Sequence, residues 1–236
     1  MMDTYYEKLS FVKSKAKHYL KEIFKVYGNE LLLQLQQYNL LANPHNCIET
    51  STAPGFIMEE FIVSKLEIYT ADHDGENDIK ILRLANQTTA NSSYDCYAYY
   101  KGLFVMINIK IQKEGAANNA VAAINILHRD YVELSPLQEK AFLILKTHYT
   151  FGNSATDSQR KIKIRDIECY CLEEIDFSKG HKQDNRNWSA NFNANSGRLQ
   201  LPASWLIHNL LPNEEISYNT TRKFIDDIFV GKNPII

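Results

Sequence analysis

The sequence predicts an α/β or α+β domain, a mixed central β-sheet flanked by helices. Three observations predict it. Apolar residues recur at helical spacing near the start, after residue 54 and near the end. Runs with strand alternation fill the middle. The order is helix, three-strand meander, helix, two strands, which suits a layered domain rather than a bundle or a sandwich.

Residues 4–26 read as the first helix, with Leu9, Val12, Ala16, Leu20, Ile23 and Phe24 on one stripe. Lys13, Lys17 and Lys21 lie on the other side, as a solvated face or, alternatively, a phosphate-facing one. Gly28 and Asn29 stop this helix. Residues 30–41 look like a second helix, and 42–54 are turn-rich. A further helix runs from about Pro54 to Tyr69, with Ser51 or Thr52 as its cap.

Strands are expected at 79–85, 94–100 and 103–113. Lys101 and Gly102 make a tight turn that pairs the last two as a hairpin. Gly115 breaks the third strand. A small-residue helix over 116–129 follows, then strands at 141–151 and 161–172, an apolar run at 201–211 and a helix at about 219–230. The reading is one domain over 1–236, with a helical part at 1–41, a core at 54–172 and a polar segment at 178–200.

Composition narrows the function classes. The chain has 26 Lys and Arg against 28 Asp and Glu, a net charge of −2. That balance neither demands nor excludes a nucleic-acid partner; the placement of the positive charge decides. No run approaches the ~18 apolar residues of a membrane helix, and the start lacks a signal-peptide stretch, so a cytoplasmic protein without a membrane partner is expected. The four cysteines form no C-x-x-C pair and read as buried thiols. Phosphate-loop, dinucleotide-binding and nucleophile-elbow motifs are missing from the sequence, and no two histidines have H-x-x-x-H spacing.

Two charged residues stand where charge is costly. Lys110 interrupts an apolar strand between Ile109 and Ile111, and burying an ammonium costs several kcal/mol unless it is compensated. By alternation Asn108, Lys110 and Gln112 share one face, and Asp95 opens the partner strand. On a helical wheel at about 100° per residue, Glu59 falls within the arc of Met58, Ile62, Val63 and Leu66, whereas Glu60 falls opposite. A carboxylate on a buried stripe needs a partner, a proton or a metal. Glu59, Asp95 and Lys110 are therefore candidates to meet in one polar pocket. A plain cross-strand ion pair between Asp95 and Lys110 is the structural alternative.

Gly55 to Glu59 on a helix, then Ser93-Tyr94-Asp95, a hairpin, and Asn108-Ile109-Lys110 resemble the PD-(D/E)-x-K nuclease superfamily over roughly residues 54–128. Twelve residues separate Asp95 from Asn108. Size and layout resemble the type II restriction endonucleases. Tyr94 stands where the motif has Pro, and Asn108 where it has an acid. The resemblance implies a restriction-endonuclease-like sheet and Mg2+-dependent cleavage of double-stranded DNA by a homodimer. It makes Asp95, Glu59, Asn108 and Lys110 catalytic. Asp95, Glu59, the Asn108 carbonyl and the Ile109 backbone oxygen would face the metal, and Glu59 would supply the charge that Asn108 lacks.

Sequence reading is expected from 178–200, where Lys179, Lys182, Arg186 and Arg198 face only Asp184. Arg186, Asn187, Asn191, Asn193 and Arg198 suit base edges; Lys179, Lys182 and His181 suit phosphates. A polar surface loop is the plainer alternative. Two further readings of the whole chain stay open: a nuclease-like nucleic-acid-binding protein without catalysis, which Asn108 favours, and an interaction protein with no nucleic-acid role.

Overall fold

The computed structural model describes residues 3–32, 52–73, 75, 77–84, 92–115, 118–151, 161–177, 198–202 and 210–230. Among them are helices α1 (Tyr5–Val26), α2 (Thr52–Tyr69), α3 (Ile124–His128) and α4 (Tyr218–Phe229). The strands are β1 (Glu30–Leu32), β2 (Ile81–Arg83), β3 (Cys96–Tyr100), β4 (Leu103–Lys113), β5 (Asn118–Ala123), β6 (Lys140–Phe151), β7 (Lys161–Cys171) and β8 (Arg198–Pro202).

Helix α1 forms for local reasons. The Thr4 hydroxyl accepts the Glu7 N–H, and the Glu7 carboxylate accepts the Thr4 N–H, which satisfies two otherwise orphaned donors. Gly28 and Asn29 end the helix with positive φ, where the Asn29 N–H reaches back to the Phe24 carbonyl. Lys13 is not free for phosphate, since it is ion-paired with Glu174.

Six strands make a mixed sheet in the order β1-β7-β6-β4-β3-β2. Only the central pair, β4 and β6, is parallel, running from Phe104 opposite Lys140 to Lys113 opposite Tyr149. The β3–β4 hairpin turns on Lys101 and Gly102, both at positive φ, as the right-handed strand twist requires. One sheet face packs on α1 and α2 through Leu9, Leu20, Leu66, Val105, Ile107 and Leu143. The other packs on α3 and α4 through Met106, Phe142, Ile144, Tyr131 and Ile225. The class is thus mixed α and β with helices on both faces.

Several expectations need correction. Residues 30–32 are strand, not helix, because Glu30–Leu32 pairs with Lys161–Lys163 of β7; 33–41 lie outside the described residues. The helix expected over 116–129 is instead β5 followed by the short α3. Alanine favours helix in isolation, but β5 pairs with β8, Asn118 opposite Pro202, and the remote partner overrides that preference. The first meander strand shrinks to Ile81–Arg83. Cys96 and Cys171 are buried free thiols, and Cys169 is half-buried.

Among the described residues no helix is long and apolar enough to cross a membrane.

Candidate active site

Asp95 immediately precedes β3 and is tied to β4 at two points. Its N–H donates to the Ile107 carbonyl at 2.9 Å. Its Oδ2 accepts the Ile109 N–H at 2.7 Å. The carboxylate is thereby held at the strand where Lys110 emerges. Helix α2 lays Met58, Ile62, Val63 and Leu66 into the core, which brings the half-buried Glu59 toward the same strand.

The electrostatics show the convergence. Burial pushes Glu59 up to about 7; Lys110 opposes that shift, and the Asp95 and Glu60 charges add to it. Burial also raises Asp95, against the pull of Lys110 and the Ile109 N–H. Glu59, Asp95 and Lys110 therefore share one field. Yet no ion pair within 4 Å joins Lys110 to either acid among the described residues. This geometry disfavours the simple Asp95–Lys110 salt bridge. It leaves two acids whose charge the protein under-compensates, which suits a cation.

Asn108 is buried at 5% exposure and sits on β4 between Ile107 and Ile109, the two residues whose backbone groups bond Asp95. Its Nδ2 donates to the Ser93 carbonyl at 2.6 Å and faces the Val121 carbonyl at 3.4 Å. Two carbonyl partners identify that end as the NH2. The remaining atom, Oδ1, is buried without a hydrogen-bond partner. A buried orphan oxygen is costly by itself, and an amide oxygen is a ligand type that a hard cation accepts. Among the described residues no three His, Cys, Asp or Glu side chains form a group that could hold a metal ion.

Glu60 has a different use. It accepts from the Arg83 guanidinium at 2.5 Å on the rim of α2. Ile109 contributes its N–H to Asp95, while the expected role of its carbonyl has no counterpart in these contacts. Lys179, Lys182, Arg186, Asn187, Asn191 and Asn193, proposed from sequence to meet DNA, lie outside the described residues; Arg198 opens β8.

Sequence reasoning missed two groups near the site. The first is the Ser93–Asp130 pair. Asp130, in a single π-helical turn after α3 (Arg129–Glu133), accepts the Ser93 N–H and hydroxyl on Oδ2, each at 2.8 Å. The second is Lys146, level with Lys110 on the parallel neighbour β6. Lys146 is fully buried and meets Glu168 at 2.6 Å, and His148 meets the same oxygen at 3.1 Å. The reasoning that flagged Lys110, a lysine inside an apolar strand, applies equally to Lys146 in KAFLILKTHYTF.

No family model matches the chain, and no curated protein matches it.

Proposed function

We propose that this chain is a Mg2+-dependent, sequence-specific endonuclease of double-stranded DNA, of the type II restriction kind, with its site at Glu59, Asp95, Asn108 and Lys110. On this reading the sheet is restriction-endonuclease-like, and two copies of the cytoplasmic protein act as a homodimer on the two strands of a palindromic site. The observation that carries it is the electrostatic convergence of Glu59, Asp95 and Lys110. Two partly buried carboxylates, raised by burial, share one field with Lys110, and Asn108, on the strand that holds Asp95, has a buried amide oxygen without a hydrogen-bond partner.

Asp95, Glu59 and Asn108 Oδ1, with the Ile109 carbonyl, would hold the cation. When bound, Mg2+ supplies Lewis-acid chemistry, drawing charge from a phosphodiester oxygen and acidifying water. The residues do the rest. Asp95 is fixed by two backbone contacts, so its carboxylate needs no reorganisation. Lys110 would orient the attacking water and offset the negative charge that builds on the phosphoryl oxygens. Glu59, raised to about 7 in the metal-free protein, would shed its proton on taking up the cation.

The experiment is incubation with mixed plasmid or phage DNA, with Mg2+ or with EDTA. Discrete fragments formed only with Mg2+ are expected. Asp95→Ala and Lys110→Ala are each expected to abolish them, and cleavage persisting in either variant refutes the site. The neutral Asn108 favours a second reading, a nuclease-like protein that binds without cutting; a gel shift with no fragments under any metal supports it. Neither shift nor cleavage leaves both readings without support.

A further inference from the structure

Asn108 departs from the acid that the motif leads one to expect, and its surroundings supply a physical reason. Its Nδ2 is 2.6 Å from the Ser93 carbonyl and 3.4 Å from that of Val121. Both are acceptors. A carboxylate at 108 would set an oxygen against two carbonyl oxygens in a buried place, and it would keep its proton rather than add charge.

The Ser93 carbonyl is itself held in place. Ser93 is buried, and both its N–H and its hydroxyl donate to Asp130 Oδ2 at 2.8 Å. Asp130 is buried too, and its Oδ1 accepts from Arg129 Nε at 2.8 Å and Nη2 at 2.6 Å. A continuous chain of hydrogen bonds therefore runs Arg129–Asp130–Ser93–Asn108. It begins on the π-helical turn after α3 and ends at the amide between Ile107 and Ile109, the two residues bonded to Asp95.

We infer that Asp130 is a positioning residue for the metal site: through Ser93 it locks the Asn108 amide with its NH2 turned away, so that the carbonyl oxygen is the end left for a cation. The inference rests on the endonuclease reading and names how this chain replaces the usual acid. Asp130 touches neither metal nor substrate. It acts by excluding the flipped amide, which would present NH2 to a cation and leave two buried carbonyls unpaired.

The test uses the full-length protein and Mn2+ alone as probe, titrated calorimetrically into wild type, Asp130→Asn, Ser93→Ala, Asn108→Asp and Asp95→Asn. Asp130→Asn is expected to weaken Mn2+ binding about 10- to 100-fold, as loss of an outer-shell partner does, with Ser93→Ala weaker in the same direction. Asn108→Asp is expected to bind Mn2+ less tightly than wild type despite the added acid. Tighter binding by Asn108→Asp, or wild-type binding by Asp130→Asn, overturns the inference.

A readout without metal accompanies it. The Asn108 side-chain amide, assigned by its loss in Asn108→Ala, is expected to exchange slowly in wild type and fast in Asp130→Asn; equal rates overturn the clamp. In cleavage assays Asp130→Asn is expected to raise the metal concentration for half-maximal rate while saturating metal restores kcat to within a few-fold. A fall in kcat with unchanged metal dependence marks a merely structural residue and counts against the inference. If wild type itself takes up no Mn2+, the endonuclease reading fails, and the clamp's purpose with it. If wild type binds and Asp130→Asn binds equally, only the clamp fails.

Discussion

Asp95 Oδ2 accepts the Ile109 N–H at 2.7 Å, across the strand pair and fourteen residues along the chain. That contact separates the fold from the chemistry. Asparagine at 95 retains an acceptor for Ile109 and sheds a charge that burial disfavours. Asp95→Asn is therefore expected to lose at least about 10²- to 10³-fold in cleavage while melting, in EDTA, at or above the wild-type temperature. Asp95→Ala loses the acceptor as well and is expected to melt lower. Calorimetric melting beside a cleavage assay checks both. An Asp95→Asn protein that melts well below wild type would show the carboxylate to be structural.

Glu59, raised to about 7, makes the site pH-dependent. Its folded pKa lies above the unfolded value of 4.5, so the metal-free protein loses stability from this group as pH rises from 4.5 through 7. If Glu59 is a metal ligand as proposed, cation uptake runs the opposite way, because the ligand must shed its proton. Cleavage at limiting Mg2+ is expected to rise between pH 6 and 8, and Mn2+ binding at pH 6.5 to release protons. Titration in buffers of different ionisation enthalpy measures that release. Glu59→Gln is expected to abolish it, and release that persists unchanged in Glu59→Gln assigns the proton to another group.

Neighbouring acids on α2 are expected to differ sharply. Glu60 is committed to Arg83 at a half-exposed position, where such pairs contribute about 0–1 kcal/mol. Glu60→Gln is expected to keep cleavage within a few-fold of wild type and to change stability little. Glu59→Gln is expected to reduce cleavage far more. The reverse ranking, in parallel assays at pH 7.5, would place the metal on the outer side of the helix.

The parts of this structure legible in the sequence are those set by neighbours in the chain. The apolar stripe of α1, the Lys101–Gly102 hairpin, the long strands β6 and β7 and helix α4 all follow from local periodicity and turn chemistry. The parts that were not legible depend on remote partners. Glu30–Leu32 is strand because β7 lies beside it, and the alanine-rich 118–123 is strand because β8 does. The same division runs through the site. Glu59 and Lys110 stood out because each sits on an apolar face. Asp130 did not, because in the string His128-Arg129-Asp130 it reads as one more surface charge; only the fold shows it buried against Ser93.

Glu173 tests the physics of the core away from the site. It follows β7 and is fully buried. Its Oε1 accepts the Tyr131 hydroxyl at 2.6 Å and the Phe142 N–H at 2.9 Å, while Oε2 is buried without a hydrogen-bond partner. Burial pushes its pKa up to about 8, against the pull of those donors. The unfolded value is 4.5, so the folded protein holds a proton that the unfolded chain releases, and stability falls as pH rises from 4.5 through 8. The loss is on the order of 5 kcal/mol when complete. Glutamine keeps the Oε1 acceptor and cannot ionise, so Glu173→Gln is expected to match wild type near pH 5 and to exceed it at pH 9. Glu59 titrates in part of the same range, but its contribution ends near 7. Lys140, lowered to about 8 by burial and Arg222, has the opposite sign above that pH. Both are common to the two proteins, so the difference between their urea unfolding curves at pH 5, 7 and 9 isolates Glu173. Curves that stay parallel across that range would mean that the carboxyl is ionised inside the fold, and that an unseen counter-charge faces Oε2.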